Sequence, residues 1–206
     1  MERIDTVVFD LGGVLVDWNP RYLYRKITQD EKAMEAFLAE VCDSAWNEKQ
    51  DAGRPFAEAV AERVKSHPKH EAWIRAYFDR WEEMIASEIH GTVEILKDLK
   101  EQKRVRLLAL SNWSAETFPI AFKRFPFLSW FEKILVSGEE KLIKPDPRFY
   151  KLLSERHGVK PETSVFIDDV QKNIDGASKL GFQTILFRSP EALRQKLSEM
   201  DVLLQK

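Results

Sequence analysis

Five short apolar runs, each closing on polar residues and separated by helix-length segments, restrict the fold of this chain more than any other feature. They are Thr6–Asp10, Val105–Leu110, Lys133–Ser137, Ser164–Asp168 and Gln183–Phe187. All are rich in β-branched or aromatic residues and apolar at successive positions. A strand with one wet face alternates in polarity, whereas a strand covered by helices on both faces does not. The intervening segments carry helix punctuation. Asp146 stands at an N-cap position with Pro147 at the first helical position, and Gly158 follows the last turn. Ser189-Pro190 repeats that opening, and Gly181 closes the segment before the fifth run. The alternation predicts an α/β fold, a doubly wound (Rossmann-like) parallel sheet.

The stretch from Asp17 to Ile89 breaks the alternation. Met34, Phe37, Leu38 and Val41 follow helical spacing, as do Phe56, Val60 and Val64, and then Trp73, Tyr77 and Trp81. Amphipathic helices of this kind need one another's apolar faces. Residues 17–89 are therefore expected to form an inserted helical cap, with 1–16 and 90–206 as the α/β core. The Trp73/Tyr77/Trp81 stripe is read as packing between helices rather than as the wall of a ligand pocket.

Charge and composition exclude several classes. With 32 basic and 34 acidic residues, the net charge of -2 lacks the basic excess of a general nucleic-acid binder. The single cysteine, Cys42, rules out an internal disulfide framework and a cysteine-based zinc site. No apolar run reaches the roughly 20 residues of a membrane helix. The first strand begins almost at once, leaving no room for a signal peptide. A cytoplasmic protein is expected, with no nucleic-acid or membrane partner, as a monomer or weak homodimer.

Chemistry-bearing residues gather where a doubly wound sheet binds ligands, beyond the carboxyl ends of its strands. Asp10 ends the first run, Ser111 and Asn112 follow the second, and Asp168 and Asp169 close the fourth. Each alone is a common turn residue. Together with Lys144, in a loop stiffened by Pro145 and Pro147, they form a constellation rather than scattered turns. Four motifs carry a resemblance: VVFDLGGVLVD at 7–17, ALSNW at 109–113, KPDPRFY at 144–150 and FIDDVQKNIDGA at 166–177. In this order, with a helical insertion after the first, the chain resembles the haloacid dehalogenase superfamily. It is most like the branch of sugar phosphatases and epoxide-hydrolase N-domains with an α-helical cap.

That resemblance implies a phosphatase of small phosphorylated metabolites, such as a hexose 1-phosphate, with Mg2+ as cofactor. Asp10 would be the nucleophile, forming an aspartyl phosphate. Asp10, Asp169 and the backbone carbonyl of Gly12 would hold the ion. Ser111, Asn112 and Lys144 would bind the phosphoryl group, Lys144 supplying positive charge. Asp168 would orient its neighbours, and Asn173 would tether Lys144 or Asp169. Cap loops near Asp17–Tyr24 and Asp43–Arg54 would choose the substrate, with Trp18 and Trp46 as candidate contacts.

Gly12 departs from the family pattern. Most phosphatases of the superfamily carry there an aspartate that protonates the leaving oxygen and then activates water. Losing such a group costs about a hundred- to ten-thousandfold in rate. Three outcomes follow, of which the first is expected: a leaving group that needs little protonation, such as the anomeric oxygen of a sugar 1-phosphate; a substitute such as water or Asp17; or a protein that mainly binds. Dehalogenases also lack this aspartate, because a halide leaves without a proton. The paired Asp168 and Asp169 favour the phosphatase, since without a metal they would repel a haloacid carboxylate. A phospholigand sensor and a partner-binding subunit using cap aromatics are the readings from other classes.

Overall fold

The computed structural model describes residues 3–204. In chain order the elements are β1 (Thr6–Phe9), β2 (Val16–Trp18), α1 (Arg21–Ile27), α2 (Glu31–Glu40), α3 (Ser44–Asp51), α4 (Phe56–Ser66), α5 (Glu71–Asp79) and β3 (Ile85–Glu88). There follow α6 (His90–Gln102), β4 (Arg106–Ser111), α7 (Phe118–Arg124), β5 (Lys133–Val136), α8 (Ser137–Glu140) and α9 (Pro147–His157). The last are β6 (Ser164–Asp168), α10 (Gln171–Ser178), β7 (Gln183–Leu186) and α11 (Pro190–Glu199). No helix among the described residues is long and apolar enough to cross a membrane.

All five expected strands form one parallel sheet, in the order β5-β4-β1-β6-β7. Side chains alternate between its faces. Val8, Leu108, Leu110 and Phe166 pack with Tyr150, Leu153 and Ile174 of α9 and α10. Val7, Phe9, Val165 and Ile167 belong to the second, larger core, with Leu96 and Leu193 of α6 and α11. From β1 the chain passes to β4 on one side and later to β6 on the other. The ends of these three strands therefore flank the crevice where strand order reverses.

Helix ends follow the sequence signals. Asp30, Asp43, Asp146 and Ser189 each accept a backbone N–H in the first turn of their helices. Gly158 ends α9 in the left-handed conformation at φ 63°. Helices α1–α5 lie between β2 and β3, which pair antiparallel as a two-stranded ribbon at the root of the helical segment. Neither ribbon strand was evident from periodicity. The stripe of Trp73, Tyr77 and Trp81 divides. Trp73 packs on Tyr24 and Phe37, and Tyr77 on Tyr24, Trp46 and Phe56. α5 stops at Asp79, so Trp81 is released to meet Trp113 of the sheet edge at 5.6 Å.

Candidate active site

Asp10 leaves the central strand β1, its N–H bound to the carbonyl of Ile167 at 2.8 Å. Its Oδ1 accepts from Leu11 N at 2.7 Å and from Ser111 Oγ at 3.0 Å, and lies 2.9 Å from Lys144 Nζ. Its Oδ2 receives none of these donors. Lys144 is wholly buried and also meets Asp168 Oδ2 at 2.7 Å. Burial pulls the Lys144 ammonium down, but Asp10 and Asp168 more than offset it and the net shift is upward.

The other motif residues hold this ion pair in place. Asp168 takes Val170 N on Oδ1 at 2.8 Å and Asn173 Nδ2 on both oxygens, at 3.0 and 3.1 Å. The Asn173 amide was expected to tether Lys144 or Asp169; it tethers Asp168 instead. It lies on the first turn of α10, the helix that starts directly beyond Asp168. Asn112 was expected to donate to a phosphoryl group. Its amide brackets the lysine backbone, accepting from Lys144 N at 2.8 Å and donating to Lys144 O at 3.1 Å. One of its amide hydrogens is thus committed to the loop. Tyr150 donates to the Asn173 carbonyl at 2.9 Å, locking α9 to α10 beneath the site.

Asp10, Asp168 and Asp169 each present a carboxylate oxygen within 4.8 Å of the others. Burial, then the charges of Asp168 and Asp169, push Asp10 up to about 7 against the pull of Lys144. Asp169 is raised by burial and by Asp168. Gly13 makes room for it. A Cβ on Gly13 would lie 2.4 Å from Asp169 Oδ2, and the residue adopts φ +73°. Around Gly12 the situation is opposite, with no atom within 4 Å of a Cβ built there.

That open space belongs to a cavity of about 90 Å3 between the sheet edge and helices α3–α4. Trp18, Asn47, Asp51 and Phe56 line it from one side, and Gly12, Asn112, Trp113 and Ser114 from the other. Trp18 therefore reaches the site, whereas Trp46 is core, set edge-on to Tyr77 at 5.0 Å. Asp17 is not among the lining residues and accepts from Tyr22 Oη at 2.9 Å. Asp51 was not singled out from the sequence. Its place in the last turn of α3 did not single it out, since α2, α5, α8 and α11 also end on an acid. A larger groove of about 840 Å3, lined by Glu94, Glu191 and Arg194, holds none of the clustered acids.

Residues 4–181 match the family model of the haloacid dehalogenase-like hydrolases. A phosphorylated carbohydrates phosphatase of Thermotoga maritima is 26% identical over 185 residues, 88% of this chain and 84% of that protein. An (S)-2-haloacid dehalogenase of Burkholderia cepacia is 32% identical over 92 residues, 45% of this chain and 39% of that protein. Among solved structures, a haloacid-dehalogenase-family enzyme of Bacteroides thetaiotaomicron, an aspartate-to-alanine variant with magnesium and inorganic phosphate, is similar in fold. Its TM-score is 0.70 at 22% identity, over 90% of this chain and 95% of that one.

Proposed function

We propose that this chain, which belongs to the haloacid dehalogenase-like hydrolase family, is a magnesium-dependent phosphatase of small phosphorylated carbohydrates. The observation that carries the reading is the charge imbalance at the strand ends. Three carboxylates crowd together with one buried lysine, which pairs with Asp10 and Asp168, and two of the three are pushed up in pKa. A divalent cation would remove that imbalance. The donor set suits a hard ion: Asp10 and Asp169 offer carboxylate oxygens, and Gly12 a backbone carbonyl. Asp168 is already committed to Lys144, Asn173 and Val170. Asn173 Oδ1 is buried with no partner among the described residues, beside the acid it tethers. When bound, the ion would lower the repulsion between a phosphate and the acids.

The chain's own residues then perform a displacement on phosphorus. Asp10 attacks, forming an Oδ–P bond as the ester P–O bond breaks, and water later cleaves the aspartyl phosphate to inorganic phosphate. Lys144 neutralises charge on Asp10 and on the phosphoryl oxygens, and the Ser111 hydroxyl steadies the nucleophile. The leaving group faces the aromatic cavity. The curated names of the relatives support a phosphorylated carbohydrate as the substrate class.

The dehalogenase reading draws support from Gly12 and from the Burkholderia cepacia relative. It meets the same acid cluster, which a haloacid carboxylate would join as a fourth anion. The partner-binding reading loses its basis. The exposed large hydrophobics among the described residues are Ile120, Phe122, Val170 and Leu204, and none lies between 17 and 89. The test is a phosphate-release screen of triose and hexose phosphates in Mg2+ or EDTA, with wild type and Asp10→Asn. Release that needs Mg2+ and vanishes in Asp10→Asn is expected. Equal release by both proteins refutes the nucleophile, and chloride release from 2-chloropropionate in EDTA establishes the dehalogenase instead.

A further inference from the structure

Resting on the phosphatase reading, we propose that Asp51, from the helical segment, is the general acid and base that Gly12 lacks. Two residues that line one cavity, drawn from different elements, make the argument. Gly12, two residues beyond Asp10, presents empty space where a side chain would carry a carboxyl group. The same cavity is lined by Asp51, the one carboxylate among its lining residues. The chain thus places an acid beside the leaving-group position from a different element.

The Asp51 carboxyl is held rather than loose. Asn47 Nδ2 donates to its Oδ2 at 2.9 Å, and the Asn47 amide is itself fixed by Tyr77 Oη at 3.0 Å. The backbone N–H of Ser114 also reaches the carboxyl group. The backbone beneath is anchored to the sheet, with Ser137 Oγ donating to Asp51 O at 2.6 Å and accepting from Trp113 N at 2.8 Å. A carboxyl group has about four acceptor sites on its oxygens, so these donors leave room for a proton and a substrate contact. Trp18 Nε1, buried and without a partner among the described residues, lines the same cavity and offers a donor to a polar leaving group.

Asp51 also has the proton affinity for the work. Burial, with the neighbouring Glu48 charge, pushes it up to about 7, while Ser114 N–H and the Lys144 ammonium pull the other way. Of the other facing groups, Glu48 is paired with Lys172 at 2.8 Å, and burial raises the Tyr77 hydroxyl well above its ordinary value. The position of Asp51 at the C-terminal end of α3 acts in the same direction as burial. A group near neutrality can both give and take a proton at physiological pH.

The steps balance. As Asp10 Oδ bonds to phosphorus and the ester P–O bond breaks, the Asp51 proton passes to the departing oxygen, which leaves as an alcohol. The Asp51 carboxylate then takes a proton from the water that attacks the aspartyl phosphate. Inorganic phosphate departs, Asp10 is regenerated and Asp51 is protonated again.

The experiment compares wild type, Asp51→Asn, Gly12→Asp and the double variant, in Mg2+, on glycerol 1-phosphate and on p-nitrophenyl phosphate. The first ester needs its leaving oxygen protonated; the second leaves as a stable phenolate. Asp51→Asn is expected to lower kcat on glycerol 1-phosphate by about a hundred- to ten-thousandfold, and on p-nitrophenyl phosphate by a factor at least about tenfold smaller. The high-pH limb of the wild-type profile disappears, and adding Gly12→Asp to Asp51→Asn restores turnover of the alkyl ester. Equal losses on the two esters would make Asp51 a positioning residue and overturn the proposal, as would unchanged rates. No release from any ester by wild type would overturn the phosphatase reading together with it.

Discussion

The acid–lysine cluster and the cavity above it are built by opposite rules. In the cluster, motif residues hold one another: Lys144 meets Asp10 and Asp168, Asp168 accepts from Asn173, and Asn112 brackets the lysine backbone. The cavity draws Gly12 from one loop, Trp18 from the ribbon, Asn47 and Asp51 from α3 and Trp113 from beyond β4. The first region is a network fixed by strand ends, and a change in one member strands its partners. The second is a surface shared between two packed bodies, where size and polarity can change with little disturbance to the sheet. Conserving the mechanism and varying the substrate is a natural division between such regions.

Titration should give the largest effect, because it reaches both regions. Asp10 and Asp51 rise from the ordinary 3.8 to about 7, and Asp169 also rises. Each therefore binds its proton more tightly in the folded than in the unfolded chain. The stability they confer is complete below the ordinary carboxylate value and is lost as pH climbs through the folded value. Thermal unfolding in EDTA should show the melting temperature falling between pH 4 and pH 7, the window set by those values. Mg2+ should flatten the part due to Asp10 and Asp169 and leave the part due to Asp51, which Asp51→Asn then removes. Identical slopes with and without Mg2+ would dissolve the distinction between the two regions.

Legibility divides along the same line. Strands buried on both faces are continuous apolar runs, so all five appeared within a residue of their ends; Asp10 and Asp168 lie at those ends, and Lys144 stood out by its proline-flanked loop before α9. Their mutual contacts did not follow from order alone. Whether Asn173 would reach Lys144, Asp169 or Asp168 depends on the angle at which α10 leaves β6. The ribbon escaped because three- and four-residue strands carry too little alternation to register against helical neighbours. Asp51 escaped because its significance is tertiary. Nothing near it in sequence shows that the end of α3 faces a glycine some forty residues earlier.

A smaller effect, confined to the cluster, is expected from Lys144→Met. It removes the cation between two buried carboxylates and should cost about 3–5 kcal/mol in urea unfolding, the usual penalty for breaking a buried pair. Asp168→Asn added to it should recover part of that loss, since the remaining amide carries no charge. By contrast, Trp18→Phe on the cavity wall removes an indole N–H that has no partner among the described residues and should leave stability nearly unchanged. A Lys144→Met protein as stable as wild type would mean that the acids already share protons and that the lysine contributes only to chemistry.

The smallest contrast lies within two consecutive residues where the regions touch. Gly13 has φ +73°, and a Cβ there would overlap Asp169 Oδ2 at 2.4 Å. Gly13→Ala should cost about 1–2 kcal/mol for the left-handed conformation alone. It must also displace Asp169, so the Mg2+ concentration needed for half-maximal thermal stabilisation should rise. Gly12 has an ordinary φ and open space around its missing side chain. Gly12→Ala should therefore be neutral or stabilising by up to about 1 kcal/mol, through the restricted unfolded chain, with Mg2+ dependence unaltered. Opposite signs from adjacent glycines would place the border between cluster and cavity at that peptide bond; equal losses would mean that Gly12 is held by the ion site too.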